Sequence, residues 1–108
     1  MAFNLSARSR SRLEGVHPDL SAVVHRAIEL TKVDFGVTQG VRTLAQQEAN
    51  VAAGKSQTMK SKHLIQDDGY SHAVDVVAYV GPDVSWELNL YDDICDAFAK
   101  AAREMEVP

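Results

Sequence analysis

Ala73-Val74-Asp75-Val76-Val77-Ala78-Tyr79-Val80 is the most β-prone stretch of the sequence, and an acid stands inside it. β-Branched and aromatic residues dominate, Gly81-Pro82-Asp83 ends the run, and the segment reads as a central strand. Burying a carboxylate in such a strand is costly unless its charge is paired or coordinated, so Asp75 is the first candidate for a functional residue. Upstream, 55–71 has no apolar period and is rich in Gly, Ser, Asp, Lys and Gln. A long stretch of this kind inside a small domain is usually functional. Its second half, Ser61-Lys62-His63-Leu64-Ile65-Gln66-Asp67-Asp68-Gly69-Tyr70-Ser71-His72, brings two histidines and two acids to the start of the strand.

The flanking elements follow from periodicity. Trp86, Leu90, Tyr91, Ile94, Phe98, Ala101 and Met105 recur at helical spacing and predict a helix capped by Ser85. Leu20, Val23, Val24, Ala27, Ile28 and Leu30 predict a second, capped by Asp19 and running to about Lys32. Asp34 to Gln39 alternates as a short strand before Gly40. Thr43 and Gln46 form a capping box for a helix from Leu44 to Ala53 that stops at Gly54. Asn4 to Glu14 is polar and reads as an arm or short helix, with Arg8, Arg10 and Arg12 solvated. The order predicts an α+β fold, a small antiparallel sheet packed with about three helices. Val107-Pro108 looks like the approach to another strand, so the sheet is expected to lack its C-terminal strands.

At 108 residues the chain is expected to be a single domain, 1–108. A formal charge of −4 argues against nucleic acid as partner. No run approaches the roughly 18 apolar residues of a membrane span, and the N-terminus lacks the apolar stretch of a signal peptide, so neither insertion nor export is expected. Cys95 is alone and cannot form an intrachain disulfide. Beside Ile94 and Phe98 it reads as a buried thiol.

His63 and Asp75 are suitable ligands for Zn²⁺, which in catalytic sites takes three protein ligands and an open position for water. The competing reading pairs Asp75 with Arg42 or a nearby turn and leaves His63 and His72 as solvated loop histidines. Spacing alone leaves both open.

Ser61-x-His63, then Gly69, then Ala73-Val74-Asp75 resembles the Ser-x-His-x-x-Gly-x-Ala-x-Asp signature of the zinc DD-peptidases, the family of VanY-type D-alanyl-D-alanine carboxypeptidases and phage L-alanyl-D-glutamate endopeptidases. Ser11 to Leu20, Arg26 to Leu30, Gly40-Val41-Arg42-Thr43 with Gln47, and Ala53-Gly54-Lys55-Ser56 are similar to the endolysin branch. The resemblance implies a DD-peptidase-like (hedgehog-like) fold, Zn²⁺ as cofactor, and His63 and Asp75 as metal ligands. It places Arg42 at the catalytic centre on a substrate carbonyl or carboxylate. Ser61 would position the loop or substrate, and Gln47 would support the Arg42 turn. The substrate implied is the bacterial peptidoglycan stem peptide, cut at the L-alanyl-D-glutamate bond, with D-alanyl-D-alanine carboxypeptidase activity as the alternative. Such an enzyme would stay in the host bacterial cytoplasm until released to the cell wall.

Two departures from the pattern stand out. His63 and Asp75 are twelve positions apart, five more than in the signature, and His72 falls in its variable position before Ala-Val-Asp. Strand alternation would turn His72 and Asp75 to opposite faces. The family's third ligand, a C-terminal histidine, and its acidic base have no counterpart, since no histidine follows His72. The chain therefore reads as a truncated peptidase, with a noncatalytic peptidoglycan-binding remnant as one alternative and completion of the site by His72, His17 or Asp67 as another. An incomplete sheet would leave an edge open to self-association.

Overall fold

The computed structural model describes residues 3–55 and 59–107. Ser56 and Pro108, used in the reading above, lie outside the described residues. These form helix α1 (Ala7–Arg12), helix α2 (Pro18–Leu30), strand β1 (Asp34–Gln39), helix α3 (Leu44–Ala52), strands β2 (Asp75–Val80) and β3 (Asp83–Ser85), and helix α4 (Leu88–Glu104). The strands make one antiparallel sheet in the order β1-β2-β3. The expected α+β architecture is present. Among the described residues no helix is long and apolar enough to cross a membrane.

The core joins α2 and α4 to one face of the sheet. Val23, Val24, Ala27 and Ile28 of α2, Phe35 and Val37 of β1, Ala78 of β2, and Ile94, Ala97 and Ala101 of α4 are all buried. The Phe35 and Phe98 rings meet at 5.4 Å. Arg26 of α2 donates to Glu104 of α4 at 2.9 Å, tying α2 to the C-terminal end of α4. The Tyr91 hydroxyl accepts from Ala78 N–H at 3.2 Å and donates to the Ser85 carbonyl at 2.8 Å, so a helix side chain bridges paired residues of β2 and β3.

The polar N-terminal segment is more than a solvated arm. Ser6 caps α1, and the Oγ of buried Ser9 accepts from Val37 N–H at 3.0 Å. Arg12 Nη1 donates to the Val37 carbonyl at 2.8 Å. The two side chains satisfy backbone groups of an edge strand that, among the described residues, has no further strand beside it. Arg10 folds back onto the Leu5 carbonyl.

Three local expectations change. The cap of α2 is His17, whose Nδ1 accepts from Asp19 N–H at 3.1 Å, with Pro18 opening the helix. The last helix begins at Leu88 behind Glu87, because residues 83–85 pair as β3 instead of capping. Trp86 therefore precedes the helix, stays 72% exposed and stacks on Tyr91. Cys95 is exposed, since it stands beside the buried line of Ile94, Ala97 and Ala101 and not within it.

Candidate active site

The site forms where the start of β2 faces the turn between β1 and α3. Asp75 is the first residue of β2, and its side chain is 53% exposed. The burial cost inferred from the apolar run does not apply, because the strand starts at the acid and not before it. The β1–β2 register shifts between Val37 and Gln39, which brings Gln39 opposite Asp75. Such a bulge re-aims the side chains at a strand end.

Arg42 comes next, its side chain 13% exposed. Gln39 Oε1 accepts from its Nε at 3.1 Å and Nη2 at 2.8 Å. Gln47 Oε1 accepts from Nη1 at 2.7 Å, and Ser61 Oγ lies 3.4 Å from the same nitrogen. Gln47 is reached because the Thr43–Gln46 capping box starts α3 at Leu44 and turns residue 47 fully inward. Among the described residues the one carboxylate facing the guanidinium is Asp75, with Oδ2 at 3.8 Å from Nη2. Neutral amide oxygens thus fix the fork while leaving its charge largely uncompensated.

His63 completes the group. Its backbone carbonyl accepts from Arg42 N–H at 2.8 Å, and its own N–H donates to Ser61 Oγ at 3.1 Å. Its Nδ1 lies 2.8 Å from the Gly40 carbonyl. A carbonyl can only accept, so Nδ1 carries a proton and Nε2 is the ring nitrogen turned towards a metal position. Nε2 is 3.3 Å from Asp75 Oδ1. Two nitrogen and oxygen ligands of a tetrahedral ion at about 2.0–2.1 Å stand about 3.3 Å apart, so tautomer and spacing both suit a shared metal. Gly40 makes this possible, because a Cβ there would lie 2.1 Å from the Arg12 carbonyl oxygen.

The long spacing from His63 to Asp75 is taken up by a loop that closes on itself. His72 N–H donates to the Lys62 carbonyl at 2.8 Å, and the tip turns through Gln66 N–H to Tyr70 O and Gly69 N–H to Gln66 O. Gln66 Nε2 donates to the carbonyls of Ser61 and Leu64. Compact loops with adjoining ends tolerate added residues at low entropic cost.

A second group, His17, Asp68 and His72, has donor atoms within 4.8 Å of one another. His72 pairs with Asp68 and Asp75 with His63, so the two do not share partners. The second group suits an ion less well. His72 Nε2 lies 2.6 Å from Asp68 Oδ2, a hydrogen-bond length, and His17 Nε2 lies 3.8 Å away. His17 Nδ1 accepts a backbone N–H, which leaves its proton on Nε2, the atom a metal would need bare. Among the described residues no third His, Cys, Asp or Glu joins His63 and Asp75.

Gln39 is absent from the sequence-based candidates. Its only sequence signal is position, at a strand end three residues before an arginine, and the bulge that aims it is not written in the local pattern. Asp68 was likewise unmarked among the loop acids.

An imidazole, an accessible carboxylate and a fixed guanidinium meet at one place, a grouping that suits a hydrolase. The profile of the phage L-alanyl-D-glutamate peptidases matches residues 1–108, and the chain belongs to that family. It is 34% identical over 111 aligned positions to the L-alanyl-D-glutamate peptidase of Escherichia phage T5, covering 99% of this chain and 77% of that protein. It also resembles the crystal structure of the Serratia marcescens L-Ala D-Glu endopeptidase ChiX, with a TM-score of 0.87 and 44% identity over 97% of this chain and 75% of that one. The chain is a peptidase of the phage peptidoglycan-degrading type.

Proposed function

We propose that this chain is a single domain, residues 1–108, of an enzyme that hydrolyses the amide between L-alanine and D-glutamate in the peptidoglycan stem, with His63 and Asp75 supplying two ligands of a zinc ion. The observation that carries the reading is the 3.3 Å approach of His63 Nε2 to Asp75 Oδ1 beside Arg42. The bond assignment draws on the two relatives named for it. When bound, zinc polarises the scissile carbonyl and lowers the pKa of a water towards neutrality.

The chain's own residues prepare that step. The Gly40 carbonyl keeps the His63 proton on Nδ1 and orients the ring. Asp75, open to solvent, leaves room for an incoming peptide. Arg42, held by Gln39 and Gln47, offers its charge to a substrate carboxylate or to negative charge developing on the attacked carbonyl oxygen. Ser61 joins the two halves, accepting from both Arg42 and the His63 backbone. Passage from the host cytoplasm to the wall after release is part of the same proposal.

The test is zinc content after dialysis for wild type, His63→Ala and Asp75→Ala, with mass spectrometry of peptidoglycan incubated with zinc-loaded protein. Zinc retention should fall at least about tenfold in either variant, and fragments should end at L-alanine and begin at D-glutamate. Retention unaffected by both substitutions would sink the metal pair. Release of free D-alanine would move the reading to a carboxypeptidase, and peptidoglycan binding without cleavage would assign a binding role.

A further inference from the structure

The group outside the catalytic pair with the densest polar contacts is His17, Asp68 and His72. Asp68 and His72 are carried by the loop that lengthens the His63-to-Asp75 spacing, and His17 by the start of α2. Asp68 Oδ2 accepts from His72 Nε2 at 2.6 Å and faces His17 Nε2 at 3.8 Å. Its Oδ1 accepts from Tyr70 N–H at 3.0 Å. The His17 ring lies edge-on to His72 at 5.0 Å and to Tyr70 at 5.5 Å. Both histidines are tied to the loop's neck. His17 N–H donates to the Ser71 carbonyl, Ser71 N–H donates to the Gly15 carbonyl, and His72 N–H donates to the Lys62 carbonyl, each at 2.8 Å.

This makes a closed circuit. The neck joins Lys62 to His72, with His63 immediately inside it and Asp75 three residues beyond. The tip could swing about that neck, and any swing would be felt first at His63. One carboxylate at the tip instead reaches back to a neck residue and to the residue that caps α2. The His17 tautomer agrees with a proton-bridged clamp and not with a second ion, because its Nδ1 accepts a backbone N–H and its Nε2 keeps the proton.

We propose that Asp68 is a positioning residue for the metal pair: by accepting from His72 and facing His17, it pins the tip of the 63–71 loop to its own neck and to the start of α2, and so holds His63 against Asp75. Burial would raise the Asp68 carboxyl, but the hydrogen bonds from His72 and the Tyr70 backbone hold it below its ordinary value. The acceptor is therefore ionised and available near neutral pH. The inference rests on the proposed role of His63 and Asp75, and one arm of its test is read without metal.

The experiment compares Asp68→Asn with Asp67→Asn in the full chain. Asp67 is the exposed neighbouring acid, so its substitution removes the same charge next door. Amide hydrogen exchange without metal should be faster at residues 66, 69 and 72 in Asp68→Asn and unchanged in Asp67→Asn. Zinc affinity, by competition with a chromophoric chelator, should fall about threefold to tenfold in Asp68→Asn alone, at the low end for a partner acting through another residue. Imidazole ¹⁵N spectra of metal-free wild type should show His17 as the Nε2–H tautomer and His63 as Nδ1–H. Equal exchange in the two variants would overturn the clamp, even in a chain that binds no zinc. Unequal exchange with equal zinc affinity would overturn the link to the metal pair. A second zinc equivalent lost in Asp68→Asn, with His17 changing to Nδ1–H on loading, would overturn it in favour of a second metal site.

Discussion

Replacing Gln47 with leucine removes an acceptor that holds Arg42. Gln47 has no solvent exposure, and its Oε1 accepts from Arg42 Nη1 at 2.7 Å. Leucine has similar volume, so packing is nearly conserved while the acceptor is lost. A hydrogen bond to a charged group contributes about 1.5–3 kcal/mol. The remaining partner of Nη1, Ser61 Oγ at 3.4 Å, is too long to compensate. The expected loss is about 2 kcal/mol, and at about 4 °C per kcal/mol for a domain near 100 residues the melting temperature should drop by roughly 8 °C. The assay is thermal unfolding by circular dichroism at pH 7, with Gln47→Glu beside it. The glutamate keeps an acceptor and adds a charge opposite Arg42, so its melting temperature should not fall below that of wild type. A Gln47→Leu melting temperature within about 2 °C of wild type would refute the claim that this bond secures the guanidinium.

Gly40→Ala should cost about 3 kcal/mol or more, read by urea unfolding, because the new methyl would meet the Arg12 carbonyl oxygen at 2.1 Å and Val16 Cγ2 at 2.7 Å; a near-neutral result would show that the β1–α3 turn yields easily. The hydrogen bond and charge of Arg26 hold the Glu104 carboxyl below its ordinary value, so the α2–α4 tie is fully present above the ordinary glutamate range and is lost as pH falls through the lowered value. Wild type should therefore lose more stability than Glu104→Gln on acidification from neutral pH to below about pH 4, and parallel melting curves for the two would contradict this. The β3 edge, flanked by exposed Val84, Trp86 and Leu88, should promote self-association, and a strictly monomeric sedimentation profile at high concentration would count against it.

The elements were readable because their causes are local. The alternation and β-branching of β1 and β2, the capping box of α3 and the apolar spacing of α2 and α4 each act within a few residues of chain. Misreadings fell where two local signals competed. Ser85 looks like a cap, but its backbone is committed to pairing with β2, and Asp19 looks like a cap although Pro18 already occupies the first turn behind His17. The motif marked His63, Asp75, Arg42, Ser61 and Gln47 as candidates, and the fold brings all five into one cluster, with Gln47 and Ser61 both meeting Arg42.

By itself the sequence determined the α+β class, the order of the principal elements, and the histidine, acid and arginine from which a site could be built. Tertiary structure decided that Nε2 of His17 and Nδ1 of His63 carry protons, that Gln39 joins Gln47 on Arg42, that Ser9 and Arg12 close the β1 edge, and that Asp68 rather than Asp67 meets His72. The physical reason is the same in each case. Helix and strand formation depends on neighbours a few residues away, whereas the partner of a polar side chain depends on which distant backbone carbonyl or amide packing brings within 3 Å.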